Sequence, residues 1–130
     1  MLRVSVQKVP AGALGWIIEE MIAFRGYSSA EKFAEQFDPP RLSGQTVRRI
    51  RDGEDPQIGT PEGNLKLTRL AGMFGLPPGT LRLVHAGDAA GIEQLPFDMD
   101  GGEDLRAFIL QVMRNHGGQP PHRQRRRANG

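Results

Sequence analysis

Between positions 41 and 51 the chain reads Arg-Leu-Ser-Gly-Gln-Thr-Val-Arg-Arg-Ile-Arg, with four arginines before the first acid at Asp52. A guanidinium donates a fork of hydrogen bonds that matches guanine or phosphate, and a glutamine amide both donates to and accepts from adenine. Gln45, Arg48 and Arg49 recur at i, i+3 and i+4, so on a helix they lie away from the face that carries Val47 and Ile50. Ser43, just before them, is a helix cap whose position leaves N-terminal amides pointing outward, a feature that suits phosphate. A short helix with apolar anchors on one side and long polar donors on the other has the dimensions and chemistry to read the major groove of double-stranded DNA.

No other cluster in the chain has comparable content. Asp98, Asp100, Glu103 and Asp104 do not fall in the ligand order of a calcium loop and are better read as an acid-rich helix start. His85, His116 and His122 are scattered without metal-ligand spacing or a nucleophile partner. With no cysteine there is no thiolate zinc site and no disulfide. The expectation is a protein that is not an enzyme, with no metal or other cofactor.

The elements that must position the basic segment follow from periodicity. Leu14, Ile17, Ile18, Met21 and Ile22 predict a first helix ending at Gly26. Ser28 and Ser29 are caps for a second helix over residues 30–37, with Phe33, Ala34 and Phe37 on its apolar face, ended by Asp38-Pro39-Pro40. The third helix runs from Ser43 as cap to Asp52-Gly53. Thr60 and Pro61 open a fourth, with Leu67, Leu70, Ala71 and Phe74 buried and Gly75 as its stop. A fifth, with Leu81 and Val84 inward, ends at Gly87. Residues 89–102 show no clear period and read as a connector. Leu105, Phe108, Ile109, Val112 and Met113 then form one more amphipathic helix. Trp16 reads as a core residue among apolar neighbours.

The pieces Phe33-Ala34, Leu42-Ser43-x-x-Thr46-Val47-x-x-Ile50-x-x-Gly53 and Leu67-x-x-Leu70-Ala71-x-x-Phe74-Gly75-Leu76, followed by Leu81, occur in an order and spacing that resembles the Cro/CI-like (XRE) helix-turn-helix family. The resemblance covers residues 14–88. It implies an all-α fold: a five-helix Cro/CI-like domain, here with one added C-terminal amphipathic helix. It further implies that Gln45, Arg48 and Arg49 face bases, that Ser43 and Thr46 lie near the DNA backbone, and that Arg41 approaches phosphate. Ser29 and Arg51 complete the expected contact set, although Ser29 also reads as a plain cap and Asp52 and Glu54 stand close enough to pair with Arg51. Two departures are visible. The connection from Ala34 to Ser43 is about three residues longer than is usual in the family, and Gly44 stands where the family often has a base-reading side chain. The small size and added helix look like compact immunity repressors of temperate actinobacterial phages.

The expected organisation is an extended N-terminal arm (residues 1–10), in which Leu2, Val4 and Val6 alternate with Arg3, Ser5 and Gln7; the DNA-binding domain (11–88); a connector and helix (89–116); and a basic, disordered tail (117–130). The tail holds four arginines and no acid, so residues 1–116 carry 13 basic against 15 acidic side chains, and the case for DNA rests on local clustering rather than bulk charge. No apolar stretch is long enough to span a membrane, and the expected location is the cytoplasm. The leading expectation is a transcriptional repressor that occupies operator DNA. The alternative is an antitoxin or adaptor whose last helix grips a protein partner. That helix has two uses from sequence: packing back on the domain, or forming a homodimer through Leu105, Phe108, Ile109 and Val112.

Overall fold

The computed structural model describes residues 12–39, 41–53 and 60–116. Among them there are seven helices and no strand: α1 Gly12–Phe24, α2 Ala30–Ala34, α3 Gly44–Arg51, α4 Pro61–Phe74, α5 Thr80–Ala86, α6 Ala89–Gln94 and α7 Gly102–His116. The all-α class read from the sequence is what the described residues adopt. The expected arm and basic tail lie outside the described residues.

Helix starts and stops follow the caps. Ser29, Ser43, Thr60 and Asp88 each accept a hydrogen bond from the backbone amide three residues on, satisfying one of the amides that a helix leaves unpaired at its N-terminus. α4 and α5 end at Gly75 and Gly87, which take the left-handed conformation (φ 76° and 74°) that closes a helix end at little cost for glycine. α2 is shorter than its apolar pattern suggests. Beyond Ala34 the amides of Gln36 and Phe37 bond to carbonyls only three residues back, tightening the last turn out of α-helical geometry.

α6 lies where the sequence shows only a connector. It is a single short helix, capped by Asp88 Oδ1 accepting from the Gly91 amide at 2.9 Å, and buries one residue, Ile92. One inward side chain makes no period, which is why pattern alone does not find it.

The core is continuous from α1 to α7. Phe33 is fully buried and surrounded by rings: it stacks on Phe74 at 5.0 Å and meets Tyr27 and Phe37 edge-on at 5.8 and 5.1 Å. Ile17 and Ile18 of α1, Leu67 and Leu70 of α4, Leu81 of α5, Ile92 of α6 and Ile109 of α7 are fully buried in the same cluster. Arg25, just past α1, donates from Nη2 to the carbonyl of Phe74 at 2.6 Å, placing a cation at the C-terminal end of α4 where the exposed carbonyls favour one.

α7 packs along α1. Ile109, Val112 and Met113 are buried in the core, and at the far end Trp16 is half-buried and stacks on His116 with centroids 4.6 Å apart. The Phe97 segment is clasped to α7 from two sides. Arg106 reaches back to the Leu95 carbonyl at 2.8 Å and lies over the Phe97 ring, while Gly102 approaches so closely that a Cβ there would sit 2.1 Å from the Phe97 carbonyl oxygen. Of the four residues weighed for a homodimer, Ile109 and Val112 are therefore occupied within the chain, and a dimer built on them would have to open the core. Leu105 and Phe108 are half-buried. No helix among the described residues is long and apolar enough to cross a membrane.

If α7 is a structural part of the core, Ile109→Ala should lower the unfolding free energy by about 2–5 kcal/mol, the range for a deeply buried aliphatic side chain. Urea unfolding measured at two protein concentrations checks this. A loss that appears only at high concentration would instead place Ile109 in an interface.

Candidate nucleic-acid interface

α3 is built as an amphipathic rod two turns long. Val47 and Ile50 are buried, as is Leu42 just before the helix, while Ser43, Gln45 and Arg49 are exposed. The Ser43 hydroxyl accepts from the Thr46 amide at 3.1 Å and its oxygen lies 3.0 Å from Thr46 Oγ1, so both hydroxyl residues are tied together at the N-terminus. Arg48, Arg49 and Arg51 fall in the last turn, where cations complement the helix dipole. The helix is thus electrostatically content with its own charge before anything binds it.

The approach of α3 to α2 depends on Gly44. A Cβ at this position would lie 2.4 Å from the Cα of Glu31 and 2.8 Å from its nitrogen, both backbone atoms. The missing side chain at the start of α3, a deficit from sequence, is a packing requirement. It lets the first turn of α3 rest directly on the backbone of α2. The same Glu31 sends its carboxylate over to the guanidinium of Arg48, forming an ion pair between two side chains that are each a little under half exposed (42% for Arg48, 44% for Glu31). Nothing in the sequence pairs these positions, since 17 residues separate them and only the fold brings them together.

The expected contact residues therefore do not stand alike. Gln45 and Arg49 point outward from α3, and Arg48 lies beside them, shared with Glu31. Ser43 is exposed at the same end, and Thr46 is half-buried behind it. Arg51 is turned away: its side chain is 16% exposed, with Nη1 3.2 Å from Glu19 Oε1 and Nε 2.9 Å from Asp52 Oδ1. That geometry makes Arg51 a clamp between α3 and α1. Ser29 is half-buried as the cap of α2, its oxygen taken by the Lys32 amide at 3.1 Å, and the exposed Lys32 adds a cation one turn into α2 that sequence reading did not single out. Arg41 is half-buried, and its Nε is buried without a hydrogen-bond partner. Among the described residues there is no group of His, Asp and Glu able to hold a metal ion.

Compared with known protein families, with curated proteins and with solved structures, the chain finds no match.

Replacing Gly44 by alanine tests the α2–α3 contact by sign. In an open helix the change stabilises by up to about 1 kcal/mol, whereas a methyl forced against backbone costs about 1–3 kcal/mol. The close approach predicts a net loss in urea unfolding, with the exposed Gln45→Ala remaining within about 0.5 kcal/mol of the parent as control.

Proposed function

We propose that the chain is a sequence-specific DNA-binding protein, with α2 and α3 as a helix-turn-helix of the Cro/CI-like kind and α3 as the helix that enters the major groove. The observation that carries this reading is the division of α3 into a buried Val47–Ile50 side and an outward side bearing Gln45, Arg48 and Arg49, on a helix whose N-terminus is capped and seated on its neighbour. A helix used only for packing has no need of three long hydrogen-bonding side chains gathered there, and one used only as a solvated surface has no need of so close a seat.

Roles divide by geometry. Gln45 and Arg49 are free of intramolecular ion pairs among the described residues and reach bases directly. Arg48 exchanges its Glu31 carboxylate for guanine or phosphate; an ion pair this exposed contributes about 1 kcal/mol or less, so the exchange costs little. Ser43 and Thr46 lie at the helix start, where phosphate meets the N-terminal amides. Arg41 and Lys32 extend the cationic surface toward the phosphate backbone. Arg51 holds α3 to α1 and acts on DNA only by fixing that helix. Occupying an operator and so blocking transcription is the simplest use of such a chain, in which every described element packs into one core.

Selection of bound sequences from a random duplex library by the full-length protein tests the reading. Arg49→Ala and Gln45→Ala should each weaken the selected site by about 5- to 150-fold and relax preference at one position, the range for losing one bidentate base contact. Selection of no common sequence, or variants that keep both affinity and preference, would remove α3 as the reader.

The Glu31–Arg48 pair yields a second test in the opposite direction. Glu31→Gln removes both a competitor for Arg48 and a negative charge beside the phosphates, so affinity should rise and the dependence on salt should steepen. Unchanged or weaker binding would mean that Arg48 does not leave its carboxylate in the complex.

A further inference from the structure

Where the C-terminal end of α1 meets the N-terminal end of α7, the surface opens into a cavity of about 480 Å³. Its apolar lining is Met21 and Phe24 from α1 with Leu105 and Phe108 from α7, and Phe24 is 87% exposed, the most exposed large hydrophobic side chain among the described residues. The acids Glu20, Asp100 and Asp104 also line it. Arg25, the one cation there, is committed to the Phe74 carbonyl at 2.6 Å. The groove thus presents an oily floor whose lining holds three carboxylates against one guanidinium, a net acidic rim.

We propose that residues 2–9 of the same chain occupy this groove as an extended segment. Those residues lie outside the described part of the structure, and three features of their sequence fit. Leu2, Val4 and Val6 alternate with Arg3, Ser5 and Gln7, so an extended backbone turns one purely aliphatic edge to the floor and a polar edge to solvent. Arg3 and Lys8 are cationic and no acid occurs before Glu19, which complements the acidic lining. The span also matches. The segment precedes Gly12 at the start of α1, and Met21 and Phe24 lie roughly 14–18 Å along that helix, whereas Val6 and Val4 are within roughly 20–26 Å of extended chain from Gly12.

The other cationic segment, around Arg123 to Arg127, matches the carboxylates but brings no aliphatic edge for the floor. A small organic ligand is a poorer fit, because the groove's polar groups are solvent-facing carboxylates rather than donors and acceptors converging on a buried centre. The docked segment covers Phe24 and lengthens the α1–α7 core by one layer. It is independent of DNA reading, and either proposal stands if the other fails.

The absence of cysteine makes the test direct, since one introduced thiol is a unique attachment point. In the full-length protein labelled with ¹⁵N, a nitroxide on Ser5→Cys should broaden the amide signals of residues 21–25 and 104–108 more strongly than those of any other described residues. Adding Val4→Asp and Val6→Asp to the labelled chain should restore the lost signals while leaving the rest of the spectrum in place. Signals that stay intact near the groove, or stay lost with both aspartates present, overturn the proposal. Loss seen in a mixture of ¹⁵N chain without nitroxide and nitroxide-bearing chain without ¹⁵N would give the groove to a second copy, and loss from a nitroxide on Gln124→Cys but not on Ser5→Cys would give it to the C-terminal segment. Either result also overturns it.

Discussion

The backbone contact between Gly44 and Glu31 sets the geometry on which the proposed interface depends. Side chains packing ridge into groove set the angle between helices, and a short helix offers few such contacts. Removing the side chain at one point lets backbone rest on backbone, and the repulsive wall there is steep. The angle of α3 is then fixed at its first turn by Gly44, in its middle by Val47 and Ile50 sinking into the core, and at its last turn by Arg51 held between Glu19 and Asp52. Three restraints along eight residues hold the helix while leaving its outer side unencumbered.

What lies beneath α3 explains why that seat is firm. Phe33 follows Glu31 by two residues, and its ring is locked among Tyr27, Phe37 and Phe74. The platform that receives Gly44 is therefore anchored through Phe33 to α4. α4 in turn is capped by Arg25 from the end of α1, and α1 packs against α7. A chain with only 6% aromatic residues concentrates its rings at this point of convergence, which compensates for a lean core elsewhere.

Much of this was legible in the sequence because the relevant signals are local. Ser43 and Thr60 as caps, Gly75 and Gly87 as stops, and the inward positions of α1, α4 and α5 each depend on residues within a turn or two. α6 was not legible, since Ile92 alone cannot declare a period. Nor was the true end of α2, where the apolar pattern continues through Phe37 although the backbone has left α-helical geometry. At the interface the missed terms are the nonlocal ones. Gly44 reads as a lost contact until Glu31 is placed under it, Glu31 reads as one more surface acid until Arg48 reaches it, and Arg51 reads as a third outward arginine until Glu19 of α1 comes within 3.2 Å. The last helix stood between core and dimer for the same reason: an apolar stripe states that a partner exists, and only the fold states that the partner is α1.

These nonlocal pairings also refine the electrostatic picture. Counted by segment, the four arginines from Arg41 to Arg51 look like one cationic block, yet the structure divides them by the carboxylates it brings near. Arg51 is neutralised by two acids and mostly buried, Arg48 is half-exposed and shares one acid, and Arg49 stands in solvent. A buried, doubly paired guanidinium is expensive to release, whereas an exposed single pair is nearly free to exchange. Residues 1–116 carry slightly more acid than base, so within them attraction of a polyanion must come from the cations left outward, acting within about a Debye length of 8–10 Å, with the four arginines of residues 117–130 as a separate source. On the proposed reading, discrimination between sequences rests on base contacts by Gln45, Arg48 and Arg49, while cations outside the bases supply affinity without sequence preference.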